Sequence, residues 1–393
     1  MSAPQILISA GDPSGEMYGA LLATELRART GAHIFGLGGP RMREAGVELL
    51  ADSSEVAVVG ISEVVRRLPS VWRVYRRLAD EAARRRPGLA ILVDFPDFNL
   101  RLAHRLHAAG IRCVYFISPQ VWAWRPGRVR LIKRLVERVL CIFPFEEPFY
   151  RDAGVPVDFV GHPLVDMVKP TMDRAAFCAR HKLDPAKPLV ALLPGSRESE
   201  INHNLPGMIG ASSFVSYQTG AQFVQAAAPG ITAQALADMT ARHSALEIKI
   251  RGRRQLGIRF PITMVQNATY DALAACDCAI VASGTATVEA ALLGTPMVVV
   301  YRVSGATAFI ARRLVRTPHF AMVNLIAGRR VVPEFIQDEF TPQAVASVVR
   351  HLLDSPANRE EMKQGLAEVR ARLGPGGAIA RAADILTGMI SKS

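Results

Sequence analysis

Short, wholly apolar runs recur along this chain, and each ends in a loop of glycine, serine or aspartate that gives way to helical periodicity. "QILISA" leads through "GDPSGE" into "MYGALLATELRAR", and "LAILVD" leads through "FPDFN" into the same kind of pattern. Apolar runs without alternation suit strands buried on both faces, and βαβα order builds a parallel sheet flanked by helices. "HIFGLGG" and "RCVYFIS" read as further strands, with glycine where the helices between them should stop. After "VDFVGHPLVD" the pattern restarts. "KPLVALLPGSRESEI" and "CAIVASGTATVEAALLG" each read as strand, loop and helix, and the second runs on into the strand "TPMVVVYR". The reading is therefore α/β, with two Rossmann-like, doubly wound parallel-sheet domains joined near residues 160–170. The first covers 1–165, the second 166–345, and 346–393 forms C-terminal helices. At 393 residues the chain exceeds the size at which one core stops growing. Residues 203–257 have weak periodicity, and no chemistry is assigned there.

Bulk properties narrow the partners. No run of eighteen uncharged apolar residues occurs, so no segment reads as bilayer-spanning. The start, "MSAPQILISAGDPSGE", lacks a basic region and goes straight into a strand, so it does not read as a secretion signal. Five scattered cysteines make no disulfide framework. Cys276 and Cys278 have no second pair at metal-ligand spacing, and the compartment reads as a reducing cytosol. Basic residues number 47 and acidic ones 35, a net charge of +12, which suits an anionic partner. The aromatic-rich signature of nucleic-acid recognition is missing, so no nucleic acid is expected.

In open α/β sheets ligands bind beyond the carboxyl ends of the strands, so the loops there carry the chemistry. The run "LAILV" ends in Asp94, Asp97 and Asn99. A turn with a helix cap accounts for these residues, and so does a catalytic acid or base. The loop "GDPSGEMYG" holds Asp12, Ser14, Gly15 and Glu16; its glycine spacing is not that of a dinucleotide site, but small residues let a substrate approach the backbone. In "LLPGSRESE" a helix starts beside Arg197, and its open N–H groups together with the guanidinium fork suit phosphate. In "ASGTATVEAALLGTP" Ser283, Gly284 and Thr285 open a second helix whose first-turn amides favour an anion. Glu289 lies one turn beyond Thr285 on the same face, where a carboxylate holds sugar hydroxyls in dinucleotide folds.

The blocks "AGDPSGEMYG", "VDFPDFN", "SPQVWAWRPGRV", "FPFEEPFY", "FVGHPLVD", "LLPGSRESEI", "ASGTATVEAALLGTPMVVVYR" and "NLIAGRRVVPEFIQ" occur in this order up to about residue 340. Together they resemble the lipid-A-disaccharide synthases, inverting glycosyltransferases of GT-B architecture from Gram-negative bacteria. The resemblance implies transfer of 2,3-diacylglucosamine from UDP-2,3-diacylglucosamine to 2,3-diacylglucosamine 1-phosphate (lipid X), releasing UDP, with no metal or other cofactor. It implies Asp94 as the base, with Asp97 as the alternative, and an acceptor-side loop at Asp12, Ser14, Gly15 and Glu16. The UDP-sugar falls to Arg197, Ser283, Gly284, Thr285, Glu289 and Asn324, across a central cleft between the halves. It also implies a place in the cytoplasm, at the periphery of the inner membrane's cytoplasmic face. A homo-oligomer is left open. Two other readings stand beside this one: another UDP-sugar transferase or epimerase, and a non-catalytic peripheral membrane protein.

One segment bears on the membrane. In "ISEVVRRLPSVWRVYRRLADEAARRR" Pro69 suits the first turn of a helix, and Val71, Trp72, Tyr75, Leu78 and Ala82 recur at helical spacing. Arg66, Arg67, Arg73, Arg76, Arg77 and the run at 84–86 crowd the same stretch. A helix packed on the sheet with a solvated arginine face fits this pattern. So does a segment lying on an anionic leaflet, with Trp72, Arg73, Arg76 and Arg77 as contacts.

Overall fold

The structure is a computed structural model that describes residues 3–56, 61–124, 126–244, 248–250, 253–255, 261–305 and 319–391. Side chains at 61–67, 123–126 and 244–255 lie outside the description, and with them the expectations for Arg66 and Arg67. The chain divides into two units, one of Met1–Pro163 with Leu373–Ser393 and one of Leu164–Arg372. In the first, seven parallel strands stand in the order β3-β2-β1-β4-β5-β6-β7. They are β1 (Gln5–Ala10), β2 (His33–Gly38), β3 (Glu48–Asp52), β4 (Leu89–Val93), β5 (Cys113–Phe116), β6 (Arg138–Cys141) and β7 (Val157–Phe159). Every residue of β4 is buried, which is why its sequence is apolar without alternation.

The second unit repeats the design with six parallel strands. In chain order its strands are β8 (Leu189–Leu193), β9 (Gln222–Ala227), a small hairpin of β10 (Ile248–Ile250) and β11 (Arg253–Gln255), β12 (Ile262–Gln266), β13 (Cys278–Ala282), β14 (Met297–Tyr301) and β15 (Glu334–Ile336). Leaving the hairpin aside, the order across the sheet is β12-β9-β8-β13-β14-β15. Winding thus reverses between β1 and β4 in one unit and between β8 and β13 in the other. Each reversal opens a crevice at the carboxyl edge of the sheet, where the loops of interest lie.

The C-terminal helices do not form an element of their own. The helix Pro342–Asp354 packs on Glu198–Thr219, burying Val345, Val349 and Leu352 with Met208 and Val215. The last helix, Ala378–Ile390, instead joins the first unit and lies on Pro13–Thr30. Its Ala382, Ala383 and Leu386 are buried, and Arg29 pairs with Asp384. Amphipathic periodicity announces a buried face but not the sheet that covers it, so the boundary expected at 346 does not hold.

Pro69 also departs from expectation. It lies inside a helix that runs Ile61–Arg85, not in its first turn. An interior proline costs a backbone hydrogen bond, but here it is on the exposed side, while Val74, Leu78, Ala79 and Ala82 fix the inner face. Trp72 is not part of that face. It is 59% exposed, stacked on Tyr75, and Leu68 is exposed one turn before it. Arg73, Arg76 and Arg77 are exposed around it. Among the described residues no helix is long and apolar enough to cross a membrane.

Candidate active site

At the reversal in the first unit, the loops after β1 and β4 meet. The Phe95 ring covers Gly11 so closely that a Cβ there would come within 2.2 Å of it. Asp94 and Phe95 both have left-handed backbones, with φ of 41° and 49°. Such conformations cost non-glycine residues on the order of 1–3 kcal/mol each and persist only when neighbours enforce them. The enforcing groups are visible. The Asp94 carbonyl accepts from the Tyr115 hydroxyl at 2.7 Å and from the Asn99 amide at 2.8 Å, and the Asp94 N–H donates to Ile117 at 3.1 Å. The half-buried Asp94 side chain is thereby presented at the sheet's carboxyl edge.

The other expected residues here divide. Asp97 lies in the first turn of the helix Pro96–Ala108, is 76% exposed and accepts from the Arg128 guanidinium at 2.6 Å. Asn99 is neither loop nor cap. It is fully buried inside that helix, accepts from the Ser9 hydroxyl at 2.7 Å and donates to the Ser9, Val93 and Asp94 carbonyls. Asp12 precedes the helix Pro13–Thr30, with its carboxylate over Gly15; Ser14 lies in the same first turn. Glu16 turns away from the loop. Its buried carboxylate accepts the Arg41 N–H at 2.7 Å and so anchors the short helix Pro40–Glu44. Glu16 thus has a structural task in the scaffold.

Sequence reasoning missed Glu146, which opens the helix Glu146–Asp152 beyond β6. It is fully buried, with Oε1 accepting the Trp122 indole N–H and Oε2 the Phe143 N–H, both at 3.2 Å. Phe145 packs edge-on to Trp122, and Phe143 lies against the buried His162. Burial pushes the Glu146 carboxyl up to about 8 against the pull of those N–H donors, and the Asp94 charge adds to the rise. Burial likewise pushes His162 down to about 3. The signal was present in "FPFEEPFY": an acid amid aromatics, whose neighbour Glu147 pairs with Arg151.

The second unit carries a different edge. After β8, Gly195 turns the chain and the Arg197 guanidinium, 62% exposed, pairs with Glu200 at 2.9 Å. The Ser196 N–H also donates to Glu200, at 3.0 Å. After β13, Ser283 donates to the Phe320 carbonyl at 3.1 Å, and exposed Gly284 and Thr285 open the helix Thr285–Leu292. Gly284 has φ 156°, a backbone that side chains rarely allow, and it frees the first-turn amides toward the crevice. Glu289 follows one turn on, half-buried, accepting from the Tyr270 hydroxyl at 3.3 Å; burial raises its carboxyl above the usual range. These residues line one edge. Asn324 does not join them. It is fully buried, donates to the Val332 carbonyl and Glu334, and accepts from the Val331 and Val332 N–H groups. All its amide capacity serves the turn before β15, so no polar contact to a ligand remains for it.

A family model described as lipid-A-disaccharide synthetase matches residues 6–375. A lipid-A-disaccharide synthase of Acidobacterium capsulatum is 49% identical, covering 100% of this chain and 98% of the relative. Among solved structures, a putative UDP-N-acetylglucosamine 2-epimerase from Listeria monocytogenes is similar at a TM-score of 0.64 and 12% identity, covering 100% of this chain and 98% of that one. The calicheamicin glycosyltransferase CalG4 reaches 0.59 at 16% identity, covering 100% and 99%. At such identities the likeness concerns the fold, the paired parallel α/β architecture of GT-B glycosyltransferases and related epimerases.

The Glu146 carboxyl makes a prediction for stability. Its ordinary value is 4.5, and in the fold it titrates near 8. Between those limits the folded chain holds a proton that the unfolded chain has released, so stability falls as pH rises through the window. Glu146→Gln should remove that decline. In urea denaturation the wild-type midpoint should drop relative to the variant between about pH 4.5 and about pH 8. Parallel midpoints across the window would show that Glu146 titrates normally.

Proposed function

The chain belongs to the lipid-A-disaccharide synthase family, and on that premise we propose how its residues carry the reaction. It is a glycosyltransferase of lipid A biosynthesis. The donor is UDP-2,3-diacylglucosamine and the acceptor 2,3-diacylglucosamine 1-phosphate. Asp94 takes the proton from the acceptor 6-hydroxyl as that oxygen attacks the anomeric carbon. The carbon–oxygen bond to the diphosphate breaks, UDP leaves with the bonding pair, and attack from the opposite face gives the β-1,6 linkage. The observation that carries this reading is the enforced turn at the end of β4, which presents Asp94 at the reversal point. Asp97 is engaged by Arg128 and Glu146 favours its protonated form, which argues against either of them as the base.

The second unit binds the nucleotide. First-turn amides of the helix Thr285–Leu292, with Ser283 and Gly284, receive the diphosphate, and Arg197 adds its fork; Glu289 takes the ribose hydroxyls. These donors stabilise the charge that grows on departing UDP. Both substrates carry acyl chains held in a leaflet, so the enzyme must reach a membrane surface. The exposed Leu68, Trp72, Arg73, Arg76 and Arg77 on the helix Ile61–Arg85 supply an apolar and cationic face for an anionic leaflet. The enzyme thus works as a peripheral protein at the inner membrane's cytoplasmic face.

UDP release from UDP-2,3-diacylglucosamine on adding lipid X tests the activity, and its absence would sink the substrate assignment. In that assay Asp94→Asn should lower turnover by roughly 10²–10⁴-fold with UDP affinity unchanged; near-normal turnover would move the base to Asp97. On the donor side, titration calorimetry should show weaker UDP binding for both Arg197→Lys and Glu289→Gln. Glu289→Gln should leave a bare diphosphate bound as before, and wild-type binding by both variants would remove the nucleotide from this unit. For the membrane, the protein should sediment with anionic liposomes and come off in part at high salt, each arginine contributing about 1 kcal/mol. Replacing Trp72, Arg73, Arg76 and Arg77 together should abolish sedimentation; a variant that still binds places the contact elsewhere.

A further inference from the structure

Tyr115 stands in β5 with its ring wholly inside the sheet's core, among Ala90, Leu92 and Tyr150. A phenylalanine would fill that volume equally well. What the hydroxyl adds is one hydrogen bond, to the Asp94 carbonyl at 2.7 Å. The Asp94 N–H is bound to the Ile117 carbonyl in the loop just after the same strand. Both backbone groups of Asp94 are therefore tied to β5 and its exit, so the direction of its side chain follows from how that turn is held. The left-handed φ at 94 and 95 makes this tether consequential. Were the turn to relax toward an extended backbone, the Cα–Cβ bond of Asp94 would swing and carry the carboxylate with it. Burial, reinforced by the charge of Asp94, holds the Tyr115 hydroxyl well above its usual range, so it stays a donor at any working pH.

We propose that Tyr115 is a positioning residue, whose hydroxyl aims the Asp94 carboxylate by holding its carbonyl. The inference rests on Asp94 being the base. It concerns neither substrate contact nor charge, because the phenol reaches no further than the backbone of the turn.

The test is Tyr115→Phe, with turnover measured at saturating donor and acceptor. The Asp94 carbonyl keeps its bond from Asn99 in this variant, so the fold survives, which thermal unfolding checks. Loss of one buried hydrogen bond to the turn should lower kcat roughly 5- to 30-fold, the factor that corresponds to 1–2 kcal/mol, while KM for the UDP-sugar stays unchanged. A purely structural role would lower the melting temperature and leave kcat per folded molecule intact. The double variant Tyr115→Phe with Asp94→Asn should be no slower than Asp94→Asn alone, since no base remains to be aimed. Wild-type kcat in Tyr115→Phe would overturn the proposal, and so would the same fold-loss in the Asp94→Asn background. Normal turnover in Asp94→Asn itself would instead remove the reading beneath it, so the two failures are distinct.

Discussion

Where a parallel sheet reverses its winding, neighbouring strands send their chains to opposite faces, and backbone groups at the strand ends lose ladder partners. Buried groups of this kind must be paired, and in this chain each unit uses a buried asparagine to do it. In the first, Asn99 gathers the carbonyls of Ser9, Val93 and Asp94 and so joins the ends of β1 and β4. In the second, Asn204 donates to the Pro194 carbonyl after β8 and accepts from the Arg302 N–H after β14. Neither side chain is exposed. An apolar residue of similar size would strand these groups at about 1–3 kcal/mol each, and the crevices that hold the candidate sites would lose their shape.

The two crevices differ in how they handle charge. The first is lined by aromatic rings and buried titratable groups, and burial drives both Glu146 and His162 toward their neutral forms. A low local dielectric makes each remaining charge count for more, which suits proton transfer from an acceptor hydroxyl to one carboxylate. The second crevice presents exposed backbone at Gly284 and Thr285 and an exposed guanidinium at Arg197. Anion binding needs donors that a ligand can reach, and the left-handed glycine at the helix start supplies them without a side chain in the way.

Much of this was legible in the residues. Unbroken apolar runs announced strands such as β4, β8 and β13, because a strand covered on both faces has no polar side to show. Loop composition announced the end of β4 and the helix start at Thr285 for a similarly local reason: glycine, serine and aspartate punctuate strands, whether they form a turn or meet a ligand. Asn324 sat in a motif of the same appearance, and its amide is spent on the turn before β15. An amide or carboxylate in a loop looks alike in sequence whether it meets a ligand or a backbone turn several residues away. Trp72 shows the converse, since its helical spacing fitted a buried stripe that in fact runs through Val74, Leu78 and Ala82.

The sequence by itself determined the local elements and the winding they build, since strand burial, loop chemistry and helix periodicity depend on neighbours a few residues apart. Only the tertiary structure decided which distant groups share an environment. The pairing of Tyr115 with Asp94 spans twenty-one residues, and that of Trp122 with Glu146 twenty-four. The return of Ala378–Ile390 to the first unit joins the chain's two ends. Acidity at Glu146 follows the same rule. A side chain's pKa is set by the water it loses and the charges it meets, and both are properties of the packed molecule, not of the residues beside it in the chain.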